Sequence, residues 1–118
     1  MNNATANERI KKMIFGDVYP LYLAKVEKKG RTKEELDHVI KWLTGFSQKQ
    51  IDKHIGDRTN FDAFFSTANL HPNVILITGS ICGYRIEEIE DQLTKKVRYL
   101  DKLVDELAKG KKMDKILR

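Results

Sequence analysis

A glycine-flanked stretch at residues 78–85 carries the side chains best suited to bind a ligand. It reads Thr-Gly-Ser-Ile-Cys-Gly-Tyr-Arg and lies between an apolar run and a helical pattern. Backbone N–H groups in such a turn can point at an anion, and Arg85 can add a bidentate clamp. The stretch lacks the Gly-Lys-Ser/Thr ending of a nucleotide P-loop and the three-glycine dinucleotide pattern. It therefore predicts only a weak anion or phosphate-ligand site. The candidate residues are Gly79, Ser80, Cys82, Gly83 and Arg85.

The same stretch has a purely structural interpretation. The glycines can serve turn geometry alone, and Cys82 can be a small buried apolar side chain. An exposed Cys82 at a helix N-terminus beside Arg85 would instead be a reactive thiolate. As the single cysteine of the chain, Cys82 has no partner for an internal disulfide.

No arrangement of residues in the sequence predicts a catalytic set, a metal site or a cofactor site. His38, His54 and His71 lie in three different segments, with no Ser/His/Asp or Cys/His pattern and no zinc-ligand spacing. The acids at 87–91 surround a helix start, where the helix dipole already favours them. We expect His38 and His54 on helix surfaces and His71 in a loop.

Residues 32–55 resemble a DNA-reading helix-turn-helix in one respect, since a short turn with Gly45 joins two helical patterns. The nucleic-acid candidates in the second helix, whose side chains can reach base edges or phosphates, are Ser47, Gln48, Lys49 and Lys53. Against this interpretation, Lys41 stands where the tight crossing usually needs a small residue, and Asp52 makes the second helix only weakly basic.

The formal net charge of +5 gathers in two short clusters. Residues 25–33 hold five cations against one acid, and residues 109–118 hold another five against one acid. Each cluster lies around a glycine that ends a predicted helix, Gly30 or Gly110, where exposed carbonyls favour cations. The alternative is attraction to an acidic partner, either a phosphate backbone or an anionic protein surface.

Capping patterns predict most of the helices. Thr32 with Glu35 and Ser47 with Gln50 have capping-box spacing, Gly45 and Gly56 are the stops, and Thr59 or Asn60 begins a third helix. A further helix is expected from Asp17 to Lys29, with Pro20 in its first turn and Leu21 turned inward. Residues 86–107 repeat leucine and isoleucine every seven positions, which predicts a long amphipathic helix. Residues 74–77 are apolar and β-branched without a partner strand, so we expect a buried extended connector.

Over nearly its full length the chain resembles the bacterial family called domain of unknown function 2200. The motifs that carry the resemblance lie at residues 18–22, 28–35, 42–45, 64–65, 72–73, 81–85, 98–103 and 115–118. The resemblance implies a compact bacterial domain and supplies no functional residue. Relatives often have proline where this chain has Gln92, which fits Asp91 as a helix cap and starts the long helix there.

The sequence predicts an all-α fold of five or six helices in one domain over 1–118, with a short buried extended segment near 74–78. We expect residues 1–6 to be disordered and residues 109–118 to form a basic C-terminal turn. The longest apolar run is far shorter than the ~20 residues of a membrane-spanning helix, and the start lacks a signal-peptide core. We therefore expect a cytoplasmic, non-enzymatic binding or protein-interaction module that pairs with another protein or a second copy. Nucleic acid is the second choice, and an enzyme or anion-sensing site at 79–85 is the third.

Overall fold

Helices make up most of residues 4–118, the part of the chain that the computed structural model describes. The helices are α1 (Ala4–Lys12), α2 (Phe15–Lys28), α3 (Lys33–Thr44), α4 (Gln48–Gly56), α5 (Phe61–Ser66), α6 (Gln92–Ala108) and α7 (Met113–Ile116). Between α5 and α6 lie two 3₁₀ helices, Pro72–Leu76 and Ile86–Glu88, and a two-stranded antiparallel hairpin of β1 (Ser80–Ile81) and β2 (Tyr84–Arg85). The all-α class is confirmed.

The predicted caps lie at the helix ends. Both capping boxes are formed, with Thr32 and Ser47 each accepting a hydrogen bond from the backbone three residues on. Asn60 caps α5, and the Asp91 carboxylate accepts a 2.9 Å hydrogen bond from the Thr94 backbone at the start of α6. Each cap satisfies a backbone N–H that has no partner inside its helix. The long helix therefore starts where Asp91 predicted.

The start of α2 differs from the prediction. The helix begins at Phe15 rather than after Asp17, so Pro20 is in its interior. The reason is a tertiary constraint, because the backbone of Phe15 donates to Thr59 O and that of Phe61 donates to Met13 O. These bonds hold the fully buried Phe15 at the helix start. Leu21, expected inside, is 68% exposed.

The expected buried connector at 74–77 is also wrong. Pro72–Leu76 is a 3₁₀ helix in which Ile75 and Leu76 face solvent. Of residues 74–77, only Ile77, which follows the helix, is buried. Proline at its first position presets φ, and the His71 ring accepts a 3.0 Å hydrogen bond from the Asn73 backbone. A lone apolar run without a partner strand cannot satisfy its backbone groups as a buried strand, and a short 3₁₀ turn satisfies them locally.

Both ends of the described chain are helical. Helix α1 includes residues 4–6 of the stretch for which we expected disorder, and residues 1–3 lie outside the described residues. At the other end, α7 lies within the expected basic turn and buries Ile116 completely. Asn73 donates a 2.8 Å hydrogen bond to the Arg118 carbonyl, which holds this end against the first 3₁₀ helix.

The core lies around α2 and α6. Helix α2 packs on α3, α4 and α6, and α6 also packs on α1, α3 and α5. The largest completely buried side chains come from six elements and include Phe15, Leu36, Ile51, Phe64, Leu100 and Leu107. The apolar residues that recur every seven positions in α6 therefore pack inside their own chain, as the amphipathic pattern predicted.

Contrary to the expectation of a helix-surface position, His54 is half-buried in the aromatic part of the core. Its ring centroid lies 4.8 Å from that of Phe46 and 5.1 Å from that of Phe64. Its Nδ1 atom lies 3.0 Å from the Thr59 hydroxyl oxygen. Burial lowers the pKa of His54 below its ordinary value because the apolar surroundings disfavour the imidazolium.

We predict a pH dependence of stability from this position. Because the pKa of His54 is lower in the folded chain, the unfolded chain binds more protons below the ordinary pKa of 6.5. His54 should thus cost no stability above pH 6.5, and the free energy of unfolding should decline as the pH falls below this value. Urea titrations at several pH values should show a weaker decline between pH 7 and 5 in His54→Gln. His38→Gln is the matched control, since His38 is exposed. Identical pH profiles for the two variants would contradict the assignment.

Candidate functional site

The predicted anion stretch folds as a hairpin with a two-residue turn. Cys82 and Gly83 are the turn residues, with φ of 52° and 81°, and Ile81 pairs with Tyr84 across the strands. Positive φ at both positions is the mark of a type I′ turn. Gly83 adopts this conformation without strain, whereas Cys82 is one of two described non-glycine residues with positive φ. Turn geometry therefore explains the glycine at position 83.

An internal carboxylate occupies the position predicted for a bound anion. The Gly79 backbone N–H donates a 2.8 Å hydrogen bond to Glu87 Oε1, and Arg85 lies 3.4 Å from the other oxygen of Glu87. The Gly79 hydrogen bond lowers the pKa of the Glu87 carboxyl. The Ser80 carbonyl accepts a 3.0 Å hydrogen bond from Lys102 Nζ. Glu87, in the 3₁₀ helix that follows the hairpin, thus takes the place of an external anion.

Cys82 is exposed at the tip of the hairpin. The expectation that its side chain is buried is wrong. The alternative, a thiol at a helix N-terminus, also differs from the structure because the residues on either side are strands. Of the predicted set, Cys82 and Gly83 form the turn, Gly79 and Ser80 bond to Glu87 and Lys102, and Arg85 faces solvent.

Beneath the hairpin lies a hydrogen-bonded network that the sequence did not predict. The Tyr22 hydroxyl on α2 donates to Asp101 Oδ1 on α6 at 2.5 Å. Arg98 donates to the second oxygen of the same carboxylate at 2.9 Å. The Arg98 guanidinium carbon lies 5.1 Å from the centroid of the Tyr84 ring on the hairpin, which is within cation–π range. One network thus joins α2, α6 and β2.

The network holds its protons rather than moving them. Burial, and then the Asp101 charge, raise the pKa of Tyr22 well above its ordinary value, so its hydroxyl stays protonated and donates. Both oxygens of Asp101 are already hydrogen-bonded. A hydroxyl and a carboxylate that satisfy one another position the hairpin and offer no base to a substrate. The only feature of the sequence that could have indicated this network is the three-residue spacing of Arg98 and Asp101 on one helix.

The four nucleic-acid candidates are distributed along α4, from its N-cap to its last turn. Ser47 caps that helix, Gln48 donates to Asp52 at 3.0 Å, and Lys53 pairs with Asp57 at 2.9 Å. Lys49 is exposed. Three of the four side chains therefore bond within or next to their own helix.

The two basic clusters, by contrast, meet. Arg31 after α2 donates to the carbonyls of Leu107 and Lys111 at the end of α6, at 3.1 and 2.8 Å. The same guanidinium pairs with Glu35 at 2.9 Å. Pairs from Tyr22–Asp101 to Arg31–Leu107 advance together along both helices, so α2 and α6 run parallel and end side by side.

A cavity of about 390 Å³ follows the outer face of α6 at this end. It is lined by Lys102, Asp105, Glu106, Lys109, Gly110 and Lys111. Asp105 pairs with Lys109 at 3.0 Å, and Glu106 pairs with Lys111 at 3.3 Å. The lining therefore neutralises most of its own charge.

Across residues 4–118, no three histidine, cysteine, aspartate or glutamate side chains come together in a way that could hold a metal ion. In the same part of the chain, no helix combines the length and the apolar character needed to cross a membrane.

A family model described as "Uncharacterized protein conserved in bacteria (DUF2200)" matches residues 9–118. The chain belongs to this family. It is also similar to a solved structure entitled "Crystal structure of uncharacterized protein SP1917", with 41% identity, a TM-score of 0.87, and coverage of 99% of this chain and 93% of the other. The comparison with curated proteins finds no match. The resemblance read from the sequence motifs is confirmed, and the chain shares its fold with this solved structure.

We predict that Tyr22→Phe lowers the free energy of unfolding by ~1–2 kcal/mol, because Asp101 loses a partly buried hydrogen bond. The matched control is Tyr99→Phe. Tyr99 is also buried on the face of a helix, but its hydroxyl has no described hydrogen-bond partner. Chemical denaturation of both variants measures the difference. An equal loss of stability in the two variants would show that the Asp101 hydrogen bond adds nothing.

Proposed function

We propose that this protein is a non-enzymatic protein-interaction module that docks through the segment between α5 and α6. The docking surface, called the connector surface below, consists of Ile75, Leu76 and Tyr84. The observation that carries the proposal is where the exposed apolar side chains lie. The described residues expose five large apolar side chains, namely Met13, Leu21, Ile75, Leu76 and Tyr84. Three of the five belong to this one ten-residue stretch.

The exposure in this stretch is large for apolar side chains. Ile75 is 75% exposed, and Leu76 is 52% exposed. Neighbouring apolar side chains in water are costly unless a partner covers them, whereas single exposed leucines are ordinary. This pattern supports a docking surface at residues 75–84 more than at the isolated Leu21.

The connector surface is held in place by buried side chains that lie between and just after the exposed ones. Ile77, Ile81 and Ile86 are inserted into the core. The Arg98 guanidinium lies under the Tyr84 ring, and Lys102 holds the Ser80 carbonyl. A surface fixed in this way needs little ordering on binding, which lowers the entropic cost of association.

The charges around the connector surface favour a partner segment that is apolar and flanked by cations. Glu88 and Glu90 are exposed beside the hairpin, and Glu87 is bonded to Gly79. Leu76 precedes Gly79 by three residues, so their Cα atoms lie within roughly 11 Å of each other. An acidic rim beside an apolar centre complements a basic rim on the partner.

The network beneath the hairpin supports a binding role over a catalytic one. The Tyr22 hydroxyl and both Asp101 oxygens are hydrogen-bonded within the network, whereas Arg98 Nε is buried without a hydrogen-bond partner. The exposed side of the segment then presents shape and apolar area rather than a reacting group.

Site-specific photo-cross-linking tests this proposal. A benzophenone amino acid at position 76, in cells that make the protein, should give a discrete adduct that Ile75→Ser removes. The same amino acid at position 21 is the matched control, since Leu21 is more exposed than Leu76, at 68% against 52%, and has no large exposed apolar residue beside it in the sequence. Mass spectrometry of the adduct should find an apolar partner segment flanked by Lys or Arg. Equal adducts from positions 76 and 21, or no adduct from 76, would refute the proposal.

A further inference from the structure

We propose that the protein also binds the phosphate backbone of double-stranded nucleic acid, without sequence preference, through a surface that shares no residue with the connector surface. This surface, called the cationic face, consists of Lys28, Lys29, Lys112 and Lys115. It lies at the adjoining C-terminal ends of α2 and α6 and on the following α7.

The cationic face exists because the fold joins two clusters about 80 residues apart in sequence. Arg31 donates to the Lys111 carbonyl at 2.8 Å, which places the loop after α2 against the loop after α6. Lys25 and Lys109, one from each cluster, both reach Asp105, at 3.4 and 3.0 Å. The lysines next to these contacts in the sequence, which form the cationic face, therefore lie in the same region of the surface.

Three acids in this region are already paired, whereas Glu27 and Asp114 are exposed and form no salt bridge within residues 4–118. Asp105 holds Lys25 and Lys109, Glu106 holds Lys111 and Arg118, and Glu35 holds Arg31. Within residues 4–118, the four lysines of the cationic face have no acidic side chain within salt-bridge distance, and all four are exposed. The four lysines of the cationic face therefore exceed the unpaired acids by two charges, and this excess is available to an external anion.

The chemistry of the cationic face favours a phosphate backbone. Its side chains are all lysines, which act as mobile point charges and do not read base edges bidentately. None of its residues is aromatic, and aromatic stacking is how proteins hold single strands. Membrane anchoring usually needs an apolar insertion besides the charges, and on α2 before this end only Leu21 is an exposed apolar side chain. A repeating array of phosphates requires only the charges that are present.

This surface replaces α4 as the candidate for nucleic-acid contact. Lys53 on α4 pairs with Asp57, and Gln48 bonds to Asp52. Helix α4 also lies toward the N-terminal end of α2, where a Cβ on Gly16 would lie 2.9 Å from the Ile55 carbonyl oxygen. The two surfaces can therefore be tested separately.

Four lysine–phosphate contacts predict a definite salt dependence. The logarithm of the association constant should fall with the logarithm of the salt concentration with a slope of about −3.6. The affinity should therefore fall about a hundredfold between 50 and 200 mM salt. At 50 mM salt, we expect a dissociation constant in the micromolar range for a duplex of mixed sequence.

The test is fluorescence anisotropy with a labelled mixed-sequence duplex of about one to two helical turns. The cationic-face variant carries Lys28→Gln, Lys29→Gln, Lys112→Gln and Lys115→Gln. The control variant, with the same loss of charge, carries Lys12→Gln, Lys41→Gln, Lys49→Gln and Lys53→Gln on other parts of the molecule. We expect the first variant to bind at least tenfold more weakly with a slope near zero, and the control to keep most of the affinity. Thermal unfolding of each variant checks that both are folded.

Two further probes separate the class of partner. Polyglutamate offers anionic charge without phosphate, and vesicles of phosphatidylcholine with phosphatidylserine offer a charged lipid surface. Binding to the duplex should exceed binding to either probe by at least tenfold at 50 mM salt. The proposal is overturned by no duplex binding at micromolar protein, by equal loss in the two lysine variants, or by stronger binding to vesicles or polyglutamate. None of these outcomes involves the connector surface, so they leave the proposed function to its own test.

Discussion

The Arg31 guanidinium forms the contact that brings the two basic clusters together, and the proposed cationic face depends on it. It donates to the Leu107 carbonyl in the last turn of α6 and to the Lys111 carbonyl in the loop that follows, and it pairs with Glu35 at the start of α3. Carbonyls at a helix C-terminus carry partial negative charge, so a fixed cation stabilises them. One side chain thus ties the ends of three helices together. The guanidinium is mostly buried, and a lysine in its place could not form the same fork of hydrogen bonds.

This arrangement has consequences at both ends of α6. At its C-terminal end, parallel packing of α2 and α6 brings like charges together, and the acids Asp105 and Glu106 offset part of the repulsion. Toward its N-terminal half, Arg98 and Asp101 fix the hairpin through Tyr22 and Tyr84. Helix α6 therefore positions both the cationic face and the connector surface. The two proposed surfaces can be tested independently because different residues form them.

Local sequence patterns predicted the parts of the fold that local physics controls. Capping boxes at Thr32 and Ser47, the Asp91 cap and the sevenfold repeat of α6 are short-range, so a single sequence reveals them. The predicted start of α2 was wrong because backbone hydrogen bonds between residues 13–15 and 59–61 override the Asp17 cap. The prediction of a buried connector at residues 74–77 was wrong because their hydrophobicity indicated burial, whereas two of these side chains face solvent.

The candidate surfaces were only half visible in the sequence. Each basic cluster was identified, but their convergence depends on the parallel course of α2 and α6, which no local pattern encodes. The glycine turn at 79–85 was located correctly as a turn, but its hydrogen-bond donor at Gly79 is satisfied by Glu87, eight residues away. The Tyr22–Asp101 bond joins residues 79 apart. Such pairings require tertiary information.

The convergence of the two basic clusters is tested most directly by a distance between them in solution. Spin labels at Lys29→Cys and Lys112→Cys, in a Cys82→Ser background that removes the exposed native thiol, can be measured by double electron–electron resonance. The contact between Arg31 and Lys111 predicts one narrow distribution with the labelled backbone sites no more than about 25 Å apart, by chain geometry. A broad distribution, or one centred near the 37 Å length of the molecule, would contradict the account.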